Sequence, residues 1–324
     1  MKSYYLGIDI GGTKIAISIG HDDGEILISD RIPTLPAEDS SIGIERTIDM
    51  IHILLKKIKI NIEDIKAIGI ACPGPISVKE GKLLAPINLP GWRNVEIAKI
   101  FKEKLGRPVF MNHDAKACAL AEFTFGKRKN VENLIYLTMS TGVGGGIIAN
   151  GHIVQGATDS AGEIGHCILD INGPRCVCGQ YGCLEAFCGG ARVAMRLREE
   201  IASSHIKTAI LDEVGGDIHK IDFVAFVNAV KKGDPYALQM WDEFVIRLAQ
   251  GIGILLMMLN PDAIILGTIA VHAGDLLFVP LKKAIARYSW QQPHKACLIE
   301  ASALKEKMGE LSSLALAING SDKL

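Results

Sequence analysis

The chain has 324 residues, of which 48% are hydrophobic and 22% charged, and its formal net charge is -1. A chain of that size accommodates two lobes, each with its own apolar core. Its balanced charge and lack of a basic arm speak against nucleic acid as a partner and against an electrostatic hold on a membrane. The opening stretch, MKSYYLGIDIGG, lacks the apolar core and small-residue cleavage site of a secretory signal. The longest apolar run, Ile252 to Leu259, is interrupted by Gly253 and falls far short of a membrane span. A cytoplasmic protein is expected. Eight cysteines in a chain this long do not suggest a disulfide framework, which belongs to small secreted domains. Cys176, Cys178 and Cys183 cluster instead, which in a cytosolic chain points to metal.

Tyr4 to Ile10 is rich in β formers and reads as a strand, Gly11-Gly12 as a tight turn, and Ile15 to Ile19 as the second strand of a hairpin. Between them DIGGTK, Asp9 to Lys14, sets a carboxylate beside two glycines, a hydroxyl and an amine. Glycines let backbone N–H groups approach a phosphate, and Thr13 and Lys14 add donors. The same residues also suit an ordinary hairpin with an exposed lysine. The Walker A spacing is absent. Glu25 to Ile32 suggests a third strand, and Ser41 to Ile60 has helical spacing at Ile44, Ile48, Ile51, Leu55 and Ile58. Ala67 to Ala71 reads as a short buried strand ending in CPGP, Cys72 to Pro75, a rigid turn that is either structural or ligand-facing. Asn88, in the turn Ile87 to Trp92, either reaches a ligand or caps a helix beginning near Asn94. Val109 to Met111 is a strand, followed by Asn112-His113-Asp114 and the strong helix former Ala115 to Glu122. Asp114 therefore stands at a strand-to-helix junction, as N-cap or as general base.

Leu134 to Thr138 and Ile147 to Ala149 read as strands around a second glycine hairpin, Ser140 to Gly146. Two copies of strand, glycine turn and strand imply two similar lobes, each presenting a phosphate-binding turn. Beyond Glu185 the chain is largely helical: Ala191 to Ala202, Phe223 to Lys232, and Pro235 to Leu259 with its glycine breaks. Ser203 to Lys220 has the weakest pattern and is expected as a loop. Ala263 to Leu266 reads as a buried strand ending in Gly267-Thr268, Leu276 to Tyr288 as a helix, Leu298 to Ser302 as the final strand and Met308 to Ile318 as a closing helix. Cys167 and Cys188 lie off the cysteine motif and are expected in the core.

With these pieces placed, the sequence resembles the ROK family of sugar kinases and repressors, within the actin-like, hexokinase-like ATPase superfamily. The most specific motif is MSTGVGGGI, Met139 to Ile147, followed by Gly156, Gly162, Gly165 and His166 and then by C-x-C-G-x-x-G-C-x-E from Cys176 to Glu185. DIGGTK, CPGP, NLPGW, AGEIGH, LNPDAIILG and IEASAL occur in the family's order. The resemblance implies an α/β fold of two actin-like (ribonuclease H-like) lobes with an interlobe cleft. The first lobe would span residues 1–114 plus about 304–324, and the second 115–303 with a zinc-binding loop.

On that resemblance Asp114 is the general base, accepting the proton of a sugar hydroxyl as the phosphoryl group arrives. Glu163, His166 and Glu185 grip sugar hydroxyls, for which carboxylates and imidazole are suited, and Gly74, Asn88 and His113 add contacts from the first lobe. His166, Cys176, Cys178 and Cys183 form a closed Cys₃His zinc site, thiolate and imidazole favouring zinc over magnesium or calcium. One ring nitrogen of His166 would serve the zinc and the other the sugar. A redox role for the C-x-C pair is the alternative. Asp9 orients Mg²⁺; Gly11, Gly12, Thr13 and Lys14 with Thr141, Gly142 and Gly144 hold the phosphates of ATP; Gly267 lies near the adenine.

Three positions depart from the family pattern. His113 replaces the asparagine before the base, and Ser140 and Thr268 replace glycines; these bear on sugar choice and nucleotide affinity. The function implied is an ATP-dependent hexose kinase, with glucose converted to glucose 6-phosphate as the first assignment. N-acetylhexosamines (N-acetylglucosamine, N-acetylmannosamine) or another hexose are alternatives, and a non-catalytic sugar sensor or a transcriptional regulator are further ones. The DIGGTK hairpin begins so close to Met1 that no DNA-binding domain of the repressor kind is expected before it. The partners implied are a small sugar and ATP, with no nucleic acid, no membrane, and a homodimer through the second lobe.

Overall fold

A computed structural model describes residues 2–128 and 130–322. Positions 1, 323 and 324, the outer ends of the expected first lobe, and position 129 lie outside the described residues. Strands β1 (Tyr4–Ile10), β2 (Lys14–His21) and β3 (Ile26–Pro33) precede helix α1 (Ser40–Ile58) and strand β4 (Ile65–Cys72). The short pair β5 (Ile76–Ser77) and β6 (Lys82–Leu83) leads to α2 (Ile97–Leu105), β7 (Val109–His113) and α3 (Asp114–Phe125). Strands β8 (Leu134–Met139), β9 (Val143–Ala149) and β10 (His152–Ile153) come next. Helices α4 (Leu184–Cys188), α5 (Gly190–Ser204), α6 (Ala209–Asp212), α7 (Phe223–Lys231) and α8 (Pro235–Leu259) follow. The chain closes with β11 (Ala263–Leu266), α9 (Ile269–Ala273), α10 (Asp275–Ile285), α11 (Gln291–Ala296), β12 (Leu298–Ala301) and α12 (Met308–Ser321). These elements divide into a first unit, Met1–Val131 with Gly146–Gly162 and Ala303–Leu324, and a second, Glu132–Gly145 with Glu163–Ser302.

In the first unit the strands lie in the order β3-β2-β1-β4-β7. The β1–β2 and β2–β3 pairs are antiparallel, whereas β1–β4 and β4–β7 are parallel. The hairpin is closed by Gly11, whose N–H donates to the Lys14 carbonyl at 2.9 Å. Leu6, Ile8, Ile10, Ile68 and Ile70 join Ile44, Ile48, Ile51, Leu55, Phe101 and Leu105 in one buried cluster, so α1 and α2 supply apolar stripes for the sheet. Each such side chain contributes about 1.5–3 kcal/mol on burial. Helix α1 begins where the Asp39 carboxylate accepts the Ser41 N–H at 2.8 Å and ends at Lys59 in the left-handed conformation, φ 58°. Glycine lets α12 reach the sheet: a Cβ on Gly69 would overlap the Ser313 carbonyl oxygen.

Helix α3 stays with the first unit, so the boundary expected at Asp114 is corrected to lie beyond it. Its alanines at 115, 117, 119 and 121 are all buried, and Asn319 of α12 donates to Thr124 Oγ1 at 3.1 Å. A helix coated in methyl groups packs closely on all sides. The segment 146–162 also belongs to this unit, because Gly146 lets the chain pass so close to Ala115 and Ala119 that a Cβ there would collide with both.

The second sheet has the order β10-β9-β8-β11-β12, with β8–β11 and β11–β12 parallel and β9–β10 antiparallel. Its connectivity repeats that of the first, as the paired glycine hairpins led one to expect. Helix α8 starts with Asp234 accepting the Ala237 N–H at 2.8 Å and Pro235 in its first turn. The glycines expected to break it instead leave it continuous to Leu259. They are contact points, since a Cβ on Gly251 would press on Leu184 and one on Gly253 on Tyr288. Trp241 and Phe244 stack at 5.1 Å beside Phe223 and Phe226 of α7.

Two further expectations needed correction. The region 203–220 is not all loop: α6 and a 3₁₀ turn at Ile218–Lys220 fall within it. Thr208 caps α6 while donating to Asp234, the cap of α8, at 2.8 Å; a single turn of helix is too short to show a period. The helix placed near Asn94 begins at Ile97, because Asn94 itself is left-handed, φ 60°. Among the described residues no helix is long and apolar enough to cross a membrane.

Candidate active site

The parallel strands of the first unit end side by side. Asp9 on β1 pairs with Ala71 on β4, Ala71 with Asn112 on β7, and Cys72 with His113. The carboxyl ends of parallel strands are where open α/β sheets present ligand-binding residues. Asp9, half-buried there, is pushed up to about 7 from an ordinary 3.8 by burial first and by the negative charge of Asp114 second; Glu310 adds to this and Lys14 opposes it. A Cβ on Gly309 at the start of α12 would lie 3.0 Å from Asp9 Oδ2.

Asp114 opens α3 with its side chain 52% exposed. Its Oδ1 accepts the Ala115 N–H at 2.5 Å and lies 3.2 Å from His113 Nδ1. Oδ2 is the oxygen left to accept a proton. The helix's N-cap is His113 rather than Asp114, so the capping role is not the one the carboxylate fills. The His113 ring lies against Gly74, where a Cβ would sit 3.0 Å from Cδ2 and 3.2 Å from Nε2. Asn88, exposed, lies against the hairpin turn, its Cβ 3.0 Å from where a Gly12 Cβ would be. Thr13 and Lys14 are exposed at the tip of that turn. The structure therefore gathers Asp9, Asp114, His113 and Gly74 at one sheet edge, and Asn88 with the glycine turn.

The raised Asp9 carries a pH consequence. Between about 3.8 and about 7 the folded state holds a proton that the unfolded state has lost. Stability of the Mg²⁺-free protein is expected to be greatest below that window and to fall as pH rises through it. Asp9→Asn should flatten this slope, which thermal unfolding over about pH 4–8 measures.

In the second unit the turn Ser140–Gly142 rests on α5: Gly190 N–H donates to the Ser140 carbonyl at 2.8 Å and Ala191 N–H to that of Thr141 at 3.0 Å. Thr141 is exposed, and Gly142 and Gly144 are half-buried. Glu185 links this turn to the cysteines, with Oε2 accepting the Val143 N–H at 3.0 Å and Oε1 3.8 Å from Cys176 Sγ. A Cβ on Gly142 would overlap Glu185 Oε2 and displace that carboxylate from the Val143 N–H. Glu163, exposed, opens the 3₁₀ turn Ile164–His166, its carbonyl accepting the His166 N–H at 3.1 Å.

One ligand atom from each of His166, Cys176, Cys178 and Cys183 lies within 4.8 Å of all the others. Cys178 and Cys183 sulfurs are 3.7 Å apart, and Cys176 Sγ is 3.6 Å from His166 Nδ1. A tetrahedral cation with bonds of about 2.3 Å to sulfur and about 2.0–2.1 Å to nitrogen spaces its ligand atoms by about 3.5–3.8 Å. The donor set and its spacing fit such a cation. All eight cysteines are free thiols. Burial pushes the Cys183 thiol up to about 12, while the Gln180 backbone N–H holds Cys178 below its usual value. A cation must displace those protons.

The loop that carries the thiols is held by bridges between Ile168 and Cys183 and between Arg175 and Tyr181. Gly182 lies so close to the Asp170 carbonyl that no Cβ fits. Arg247 of α8 pairs with Asp170 at 3.1 Å and lies 4.3 Å over the Phe187 ring. Cys188 is buried as expected, but Cys167 is exposed, a correction: it follows the 3₁₀ turn and contributes its carbonyl, not its thiol, by accepting the Leu184 N–H.

Gly267, buried after β11, packs where a Cβ would overlap Tyr136 Oη. Thr268 beside it has φ 48° and ψ -102°, a region that β-branched residues avoid and glycine enters freely. Such strain costs about 1–3 kcal/mol, partly offset here by the 3.4 Å contact between its hydroxyl and that of Thr138. Thr268→Gly is therefore expected to stabilise the protein by about 1 kcal/mol, a rise of about 2–4 °C in melting temperature.

Two features of the region carried no recognised signal in the sequence. Lys116, two places after Asp114, is fully buried, and Asp159 accepts the Val78 N–H at 2.9 Å. Lys116 stands in a stretch that reads as a plain helix former, and a buried lysine at one position leaves no periodic trace.

Two α/β units of matching strand connectivity are the actin-like (ribonuclease H-like) architecture. A ROK-family glucokinase from Streptomyces griseus, solved in complex with glucose and AMPPNP, superposes with a TM-score of 0.78 at 27% identity, covering 98% of this chain and 100% of that one. The chain belongs to the ROK family, which it matches over residues 5–319. The glucokinase of Thermotoga maritima is 30% identical over 315 residues, 97% of each chain. A xylose repressor of Caldicellulosiruptor bescii is 29% identical over 314 residues, 97% of this chain and 78% of that one.

Proposed function

We propose that the chain is an ATP-dependent hexose kinase that transfers the γ-phosphoryl group of ATP to a sugar hydroxyl, with glucose as substrate and glucose 6-phosphate as product. The observation that carries the reading is the Asp114 carboxylate. One oxygen accepts the Ala115 N–H and lies beside His113 Nδ1, leaving the other, half-exposed at the carboxyl end of β7, as proton acceptor. The sugar oxygen forms a bond to the γ-phosphorus as its proton passes to Asp114 Oδ2, the bond to the bridging oxygen breaks, and ADP leaves. Kinship with the glucokinases supports the substrate class.

Glu163, His166 and Glu185 bind the sugar hydroxyls, with His113, Gly74 and Asn88 adding contacts. Gly11, Gly12, Thr13 and Lys14 of the first hairpin and Thr141, Gly142 and Gly144 of the second bind the phosphates, and Gly267 borders the adenine. Asp9 would hold Mg²⁺, whose charge would offset that of the transferring phosphoryl group. His166, Cys176, Cys178 and Cys183 would hold a structural Zn²⁺. His166 uses Nδ1 toward the cysteines, which leaves Nε2 for the sugar. On the same family kinship we take the protein to be a cytoplasmic homodimer without a nucleic-acid partner.

The relationship to xylose repressors makes sugar binding without turnover the reading to set against this one. ADP release measured over a panel of hexoses and N-acetylhexosamines separates the two. Turnover on one sugar supports the kinase and names its substrate; an N-acetylhexosamine or another hexose in place of glucose would revise only the substrate. Silence across the panel with sugar still bound would refute the kinase.

A further inference from the structure

Burying an ammonium group costs several kcal/mol unless hydrogen bonds replace its water. Lys116 has 1% of its surface exposed. Its Nζ donates to the Asp159 carbonyl at 2.8 Å, to Gln155 Oε1 at 3.0 Å and, more weakly, to the Gln155 carbonyl at 3.3 Å. All three oxygens belong to one loop. That loop holds Gly156, Asp159 and Gly162 at φ 77°, 57° and 90°. The Asp159 value lies in the left-handed region, which aspartate enters more readily than most residues with a side chain. Asp159 is fastened a second time, by its side chain, to the Val78 N–H.

The placement gives the contact a meaning beyond stability. Lys116 lies in the first turn of α3, two residues after Asp114, and residues two apart on a helix point to different faces. One face of this turn presents the carboxylate and another holds the loop. The loop runs straight into Glu163 and the turn that carries His166.

We infer that Lys116 is a positioning residue: from within the helix that carries Asp114, it fixes the loop Gln155–Gly162 and so the approach of the chain to Glu163 and His166. It touches no substrate. Its effect falls on sugar binding rather than on the chemical step, and the assignment rests on the kinase reading only for the identity of the ligand.

The test uses the full chain with Lys116→Met, which keeps an unbranched side chain one atom shorter and removes its donors. Amide exchange across residues 154–162 is expected to quicken by about tenfold or more, since a tether of local opening is lost. The dissociation constant for the sugar, measured by calorimetry, should rise about tenfold, with kcat at saturating sugar and KM for ATP within about threefold. Gln155→Ala, made in the loop itself, should move exchange and sugar affinity the same way by a smaller amount. Unchanged exchange and affinity in Lys116→Met would overturn the assignment. So would a general loss of folding in Lys116→Met together with a silent Gln155→Ala. Both primary readouts are taken without turnover, so a protein that binds sugar but releases no ADP would sink the kinase reading and leave this test standing.

Discussion

Asp114→Asn is expected to lower kcat by about 10²–10⁴-fold while leaving the sugar affinity within a few-fold, the size and form of an effect confined to general-base catalysis. The substitution is unusually clean here. The amide oxygen of asparagine can replace Oδ1 and keep both the Ala115 N–H and the His113 contact. The amide nitrogen then stands where Oδ2 stood and cannot take a proton. Removing the negative charge also relieves Asp9, whose carboxyl Asp114 helps to hold up, so the ATP and Mg²⁺ dependence of the variant is measured beside its kcat. Steady-state ADP release and calorimetry together decide it; a kcat within about tenfold of wild type would remove Asp114 from the role of base.

Cys183→Ser is expected to abolish metal binding and to lower the melting temperature by about 5–10 °C, corresponding to about 2–3 kcal/mol. Cys183 is fully buried, pairs across the loop with Ile168 and stands two residues before Glu185. The loop between His166 and Cys183 is ordered by isolated bridges, a few backbone bonds and the Arg247–Asp170 pair rather than by regular secondary structure. A closed metal site would therefore supply folding energy there directly. Sugar affinity should fall with the metal, because Glu185 and His166 belong to the same cluster of contacts. Metal analysis, melting and calorimetry test the three parts. A variant that keeps its metal, or a wild type purified without any, would contradict the zinc assignment.

The parts of this fold that were legible in the sequence share a physical cause. Tyr4–Ile10, Pro235–Leu259 and Ala263–Leu266 were placed at the bounds observed, and Phe223–Lys231 to within a residue. Their burial is continuous or strongly periodic and their ends are marked by glycine, by aspartate caps or by Asn-Pro. The cysteine cluster was legible because its members stand close together along the chain itself. What escaped depends on partners distant in sequence. Helix α4 has five residues and exists because it packs beside the thiol loop, and α3 joined the first unit through Asn319. The strain at Thr268 is visible only in its dihedral angles. A departure from a family glycine marked the place without saying what the glycine was for. Lys116 left no mark, since nothing in its neighbours announces that a loop beyond β10 would fold over it.

The most direct test of the central claim is to incubate the protein with glucose and Mg²⁺-ATP and to identify the phosphorylated product by phosphorus NMR, with Asp114→Asn alongside. A single new phosphomonoester at the sugar 6-position, formed with one ADP per sugar and absent with the variant, is the result predicted. Intact glucose and ATP, with glucose bound to the protein by calorimetry, would contradict it and leave a sugar-binding protein that does not turn its ligand over.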